Sequence, residues 1–194
     1  MKLFIWVGHP RETSFCHALA DTYTKGAEAN GADIRRINLH DMNFDPDLTF
    51  GYTQRKPLEP CLEDWRETLL WADHMLWVYP QWWGGMPAKM KGVLDRAFLP
   101  GFAMNYHADD PWWDKLLTGR TADVLITADA PSFFDKFAYG APAQHQVKNL
   151  VLKFSGIKPR LIKQMGTVKS AKPEKLKRWL TEAETLGMKR ASTT

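Results

Sequence analysis

The stretch HMLWVYPQWWGGMPAKMKGVLDR, residues 74–96, turns within a few residues from one kind of structure to another. Its first seven residues are a short apolar run that closes on Pro80. A run of this length, bounded by a proline, reads as a buried strand. Its last ten place Met90, Val93/Leu94 and Ala97 (just beyond the stretch) at helical spacing, behind a proline suited to a first helical turn. Between them lie Trp82, Trp83, Gly84 and Gly85. A strand, a glycine loop and an amphipathic helix in that order are one half of a βαβ unit.

The same succession recurs on both sides. Leu3–Val7 is a short, continuous apolar strand. GHPRETSF turns into a helix marked by Phe15, Leu19 and Tyr23, with Thr13 or Ser14 as its N-cap. NGADIRRINL is a glycine stop followed by a second strand. A long polar connection, DMNFDPDLTFGYTQRKPLEP, leads to a second helix near Cys61–Ala72. After residues 74–97 comes an aromatic insertion near 99–116. TADVLIT is a fourth strand, ADAPSFFDKFAYGAPAQHQ a long loop into a helix with Val147, Leu150, Val151 and Phe154, and IKPRLIKQMG a fifth strand. Leu176, Trp179, Leu180 and Ala183 mark the last helix. Alternation of this kind predicts an α/β fold: one domain over 1–194 with a five-stranded parallel sheet, order 2-1-3-4-5, and helices on both faces.

Composition narrows the function. The 194 residues are 44% hydrophobic and 25% charged, with a net charge of +4. This mild basicity suits an anionic ligand, or simply a solvated, slightly positive surface. No Lys/Arg block is interleaved with aromatics, as a nucleic-acid groove requires. The two cysteines, Cys16 and Cys61, make neither a disulfide framework nor a CxxC, and no dense His/Cys cluster suggests a metal. MKLFIWVGHP is too short an apolar run for a signal sequence, and no run approaches the roughly 18 residues of a membrane span. A reducing, cytoplasmic setting is the default that follows.

In a parallel sheet, right-handed crossovers bring the loops after the strands to one edge, where ligands bind. Three loops are therefore expected to converge: Gly8–Phe15, Pro80–Pro87 and Ala128–Tyr139. The first offers hydroxyls and free N–H groups at a helix start, a cradle for phosphate, with His9 and Arg11 adding charge. It is neither GxGxxG nor GxxxxGK[ST], and a plain helix cap is its other reading. In the second, glycines let the backbone approach a flat ligand and the tryptophans can edge it. The other reading packs Trp82 and Trp83 on the neighbouring insertion. Phosphate and flat ring together describe flavin mononucleotide.

GHPRETSF, DMNFDP, YPQWWGGMPAKMKGVLDRAF and PGFAMNY, in this order over residues 1–106, resemble the NAD(P)H:quinone oxidoreductases, the DT-diaphorase-like flavoproteins of flavodoxin-like fold. The family pattern is H-x-x-x-T-S-F, then M-N-F-x-P, then P-x-x-W-x-x-x-P-A-x-x-K-G. The resemblance implies that His9, Thr13, Ser14 and Phe15 hold the flavin's phosphate end. It implies that Pro80, Gln81, Trp82, Trp83 and Gly84 border the isoalloxazine, and that Thr127, Ala128 and Asp129 close the far side. Phe102, Met104 and Tyr106 would line the substrate pocket across a homodimer interface formed by the third helix and the insertion. The chain departs from the family after strand four, where TADAPSFF stands in place of T-T-G-G-S. Tyr139 and His145 are the nearby candidates for the pair that polarises the flavin, with a surface role as the other reading of His145. No adenine site is recognisable, which favours FMN, with FAD the alternative.

The resemblance further implies two-electron transfer from NAD(P)H through the flavin to a quinone or similar acceptor, by a ping-pong mechanism. The rival readings are a flavodoxin-type electron carrier, an oxidoreductase subunit of a glutathione-gated potassium-efflux system docking peripherally at the membrane, and an azo- or nitroreductase.

Overall fold

The computed structural model describes residues 1–192. Strands β1 (Lys2–Val7), β2 (Asp33–Asn38), β3 (His74–Pro80), β6 (Thr121–Thr127) and β7 (Lys158–Met165) form one sheet in the order β2-β1-β3-β6-β7. Every neighbouring pair is parallel. The two remaining strands, β4 (Met104–Tyr106) and β5 (Trp113–Lys115), make a separate antiparallel hairpin in the insertion. In the order of the parallel strands alone, the sheet is 2-1-3-4-5, as expected.

The pattern of each strand follows from its place. β1 and β3 lie between neighbours and under helices on both faces, so all but Lys2 of their residues are buried. The edge strand β2 alternates in burial at its start. The pleat sends alternate side chains to opposite faces. Phe4 and Trp6 of β1 and Met75, Trp77 and Tyr79 of β3 join one core, while Leu3, Ile5, Val7, Leu76 and Val78 join the other. The first core lies under helices α2 (Pro60–Trp71) and α3 (Ala88–Ala97), where Trp6, Trp65 and Trp77 meet edge to face with ring centroids 4.9 and 5.0 Å from Trp6. The second lies under α1 (Phe15–Glu28) and α7 (Pro173–Ala191).

Helices α1 and α7 touch through their backbones. A Cβ added at Gly26 would lie 2.0 Å from the carbonyl oxygen of Glu184, and one at Gly187 would lie 2.2 Å from that of Tyr23. Between this pair and the sheet sits a buried polar group. Arg190 donates twice to Asp123, at 2.8 and 2.9 Å, and Tyr23 donates to the same carboxylate at 3.2 Å. His74 completes the set, with Nε2 3.4 Å from Asp123 and Nδ1 2.6 Å from Thr121 Oγ1.

The long polar connection before α2 is anchored by one side chain. Arg96 of α3 is fully buried, pairs with both oxygens of Glu59 and donates to the carbonyls of Asp45 and Pro57. Nothing in the spacing of residues 39–59 announces this anchor.

Three readings of the sequence need correction. The segment Ala128–Tyr139 is not all loop, because Ser132–Tyr139 forms a helix, α4, ended by Gly140 in the left-handed region at φ 71°. The helix near Val147–Phe154 is irregular: α5 (Pro142–His145), a π-helical stretch Gln146–Leu152 and α6 (Lys153–Ser155) run end to end, and Leu150 faces solvent. Finally, α3 spends Met90, Val93, Leu94 and Ala97 in its own core, so it offers little apolar surface to a second chain.

Candidate active site at the C-terminal edge of the sheet

The three loops converge, and a fourth joins them. They enclose a cavity of about 580 Å³ at the C-terminal ends of β1, β3, β6 and β7, within the range of small-molecule sites. The first loop contributes His9, Arg11, Ser14, Phe15 and Cys16; the second, Pro80 through Gly84; the third, Thr127 through Ala130. Val168 and Lys169, from the turn after β7, complete the lining. No spacing signal marked those two residues. Only the fold brings the end of β7 beside that of β6.

At the first loop, Ser14 caps α1 and its hydroxyl accepts from His17 N at 3.4 Å. The N–H groups of Phe15 and Cys16, the first two helical residues, have no intrahelical carbonyl to meet. They and the positive helix end make this corner fit a phosphate. His17 Nδ1 lies 2.8 Å from Ser14 Oγ and fixes the hydroxyl from behind. Burial, with Arg36 and His40 nearby, keeps the His17 imidazole below its ordinary pKa. Burial likewise lowers that of His9, aided by the Arg11 charge. Since His9 Nδ1 accepts from Arg11 N at 3.0 Å, the neutral ring carries its proton on Nε2. Thr13 is outside the cavity: it is exposed, and its carbonyl accepts from Arg11 Nε at 2.7 Å.

Cys16 ties this corner to the third loop through Thr127 Oγ1, 3.3 Å away. Burial pushes its thiol up to about 11, so it stays protonated. On the far side, Asp129 Oδ1 accepts from Lys169 N at 3.2 Å, binding the third loop to the fourth.

The second loop is a tight turn. Trp82 N donates to Gly85 O at 2.9 Å and Gly85 N returns to Trp82 O at 3.0 Å. Both central residues have positive φ, Trp83 at 51° and Gly84 at 76°. Glycine takes this conformation without cost; a tryptophan there is strained by about 1–3 kcal/mol. Trp83 is fully exposed, and the ring of Trp82 meets His9 edge-on at 5.9 Å. These tryptophans therefore do not pack on the insertion. The insertion is packed instead by its own Trp113, which stacks on Phe154 at 4.3 Å, while Trp112 is exposed.

Gly84 offers a direct check on the turn. A Cβ there would lie 3.2 Å from Pro142 Cγ, on a backbone that β-branched residues avoid. Gly84→Val is expected to lower the affinity for FMN at least tenfold and to cost about 1–3 kcal/mol of stability, leaving a folded domain. Titration of the flavin-stripped variant together with its circular dichroism reads both. Full affinity would show that the turn is no part of the site.

The remaining candidates lie elsewhere. Tyr139 and His145 do not line this cavity. They line an adjoining groove of about 520 Å³ across the Trp83–Gly84 ridge, with Pro142, Gln146 and Leu150. Phe102 and Met104 are buried in the first core, where the Arg66 guanidinium covers Phe102 at 3.8 Å. Tyr106 is exposed on the β4–β5 hairpin. Within one chain, none of these three reaches the cavity.

A sheet of order 2-1-3-4-5 with a phosphate-suited turn after its first strand has a counterpart among known families. The Flavodoxin_2 family, described as flavodoxin-like fold, matches residues 1–186. The chain belongs to this family. A relative in Haemophilus influenzae, an uncharacterized NAD(P)H oxidoreductase, is 30% identical over 81% of this chain and 79% of its own length. NAD(P)H dehydrogenase [quinone] 1 of Rattus norvegicus is 24% identical over 95% of this chain and 77% of its own. The crystal structure of Smu.1420 from Streptococcus mutans UA159 superposes with a TM-score of 0.84, at 28% identity, covering 97% of this chain and all of that one.

Proposed function

We propose that this chain is a flavin-dependent NAD(P)H oxidoreductase that binds FMN in the cavity at the C-terminal edge of the sheet and reduces a quinone or similar acceptor. The observation that carries the reading is the convergence of a capped, cation-flanked helix start with a turn of two positive-φ residues in one cavity. The first suits a phosphate and the second lets backbone face a flat ring. The relatives' names, NAD(P)H oxidoreductase and quinone dehydrogenase, agree with that chemistry.

Bound there, FMN would supply the acceptor for a hydride and the two-electron donor to the quinone. The chain's own part is to place and shield it. Ser14 and the N–H groups of Phe15 and Cys16 would hold the phosphate; Arg11 and Lys169 stand at the rim and offset its charge. Gln81, Trp82 and Gly84 border the ring on one side and Thr127, Ala128 and Asp129 on the other. The groove beyond Trp83, with Tyr139 and His145 in its wall, gives donor and acceptor a common approach, which fits ping-pong turnover.

A homodimer is part of this proposal. Trp83, Phe133, Phe137, Tyr139, Trp112 and Tyr106 are large and exposed, and Trp83 and Tyr139 border the groove. A second copy covering them would bring Tyr106 to the neighbouring groove and exclude water from it. Among the described residues no helix is long and apolar enough to cross a membrane. Its two free cysteines suit a reducing compartment, and we place the protein in the cytoplasm on that ground.

Purification should yield a yellow protein that releases FMN on denaturation, oxidises NADPH or NADH in the presence of a quinone, and sediments at twice 22.3 kDa. A colourless protein that takes up no added flavin would overturn the assignment. A yellow, active monomer would overturn only the dimer.

A further inference from the structure

Helix α4 is built inside out. Of its eight residues only Asp135 is buried, 2% exposed, while Phe133, Phe134, Phe137 and Tyr139 face outward. The aromatic residues that normally hold a helix to its domain do not hold this one. A carboxylate does.

Asp135 Oδ1 accepts from Gln81 Nε2 at 2.8 Å, across 54 residues of sequence. Gln81 belongs to the cavity wall, and its own N–H donates to Thr127 O at 2.7 Å. The segment after α4 reaches the same wall, since Pro142 is the side chain that a Cβ on Gly84 would meet. The cavity walls after β3 and β6 are thus braced by Gln81 and Asp135. Asp135 Oδ2 and Gln81 Oε1 are both buried without a partner among the described residues. Burying a carboxylate oxygen without a partner costs desolvation, and the one hydrogen bond from Gln81 returns only part of it. A buried carboxylate that leaves one oxygen unpartnered while linking two walls of a binding site is explained by the site.

We infer that Asp135 is a positioning residue for the flavin site: its carboxylate holds Gln81 in place and so sets the distance between the two walls that flank the ring. This rests on the flavin reading above. What it requires of Asp135 is an acceptor, not a charge. Asparagine should therefore serve, and alanine should not, although alanine is the better helix former.

The test is titration of FMN into flavin-stripped protein, read by tryptophan fluorescence, beside the melting temperature of the same flavin-free samples. D135N is expected to keep its FMN dissociation constant within threefold of the parent. D135A should raise it at least tenfold, with a melting temperature within a few degrees of the parent's, because losing a costly buried carboxylate offsets the Gln81 Nε2 left without its acceptor. Q81M, which leaves α4 intact and keeps the side-chain volume, should match D135A. The double variant should be no weaker than either single one, because both remove the same link. FMN affinity within threefold in Q81M overturns the inference, even where D135A does not fold. So does a D135A protein that binds FMN normally, or one whose melting temperature falls in step with its affinity. A parent protein that takes up no FMN overturns the flavin reading and this inference with it.

Discussion

Ser14→Asp should empty the flavin site while leaving the protein folded. Aspartate is as good an N-cap as serine, and its charge favours a helix N-terminus by about 0.3–1 kcal/mol. The acceptor role toward His17 N is kept. The flavin-free variant should therefore melt at or above the parent temperature. The same carboxylate would face the phosphate of the ligand. Two unit charges 4 Å apart repel by about 4 kcal/mol at an effective dielectric of about 20, and a phosphate carries nearly two. Ser14 is half-buried, so solvent screens part of this. A loss of at least a hundredfold in FMN affinity remains, about 2.7 kcal/mol. Flavin content after purification and titration of the stripped protein measure it. Unchanged flavin content would mean that the phosphate does not lie at the start of α1.

Asp123→Ala should do the reverse, weakening the fold and sparing the site. Asp123 is fully buried and receives Arg190, Tyr23 and His74. Removing it takes from Arg190 both of these carboxylate contacts and leaves Tyr23 and His74 only each other and Thr121 among the described residues. Breaking one partner of a buried pair typically costs about 3–5 kcal/mol. For a chain of this size that lowers the melting temperature by about 6–20 °C. Asp123 stands four residues before Thr127 on β6, about 13 Å from the cavity along the strand. FMN affinity should stay within about twofold. The pH dependence has a definite sign. Burial alone would raise the Asp123 pKa, but hydrogen bonds from His74 and Arg190 outweigh it and hold the pKa below the usual value. The stabilisation is present above the unfolded value of about 3.9 and fades as pH falls toward the lower folded one. The variant should lose less stability than the parent on acidification through that range. An equal loss would show that the carboxylate is not what the network depends on.

The parallel sheet was legible because its signal is local and repeated. A strand buried on both faces must be apolar throughout, and a helix that covers it must be apolar every three or four residues. Leu3–Val7, His74–Tyr79 and Met90–Ala97 obey these demands regardless of the rest of the chain. The start of α1 was legible for a similar reason: a hydroxyl residue directly before an apolar periodic run is its N-cap, and Ser14 fills that place. Thr13, next to it and of the same chemistry, turned out to face solvent. One residue of register separates a cap from an exposed hydroxyl, and sequence spacing does not resolve that step.

Other residues were placed by contacts far along the chain. Helix α4 was hidden because its aromatics point outward, so its pattern gives the wrong face; Gly140 and the spacing of Phe134 and Phe137 were the available signals. Lys169 and Val168 enter the cavity because β7 ends beside β6, and Asp135, outside the lining, meets Gln81 because α4 folds back over it.

The sequence by itself determined the order of elements, the sheet, and the edge at which the loops converge on a cavity, since periodicity and chain connectivity are properties of neighbours in the chain. Only the tertiary structure decided which side chains share the cavity. It set Tyr139 and His145 across the ridge from it, buried Phe102 and Met104 in the core, and coupled Gln81 to Asp135. Such contacts join residues tens of positions apart, where a change of one turn or one strand register sends a side chain to another surface.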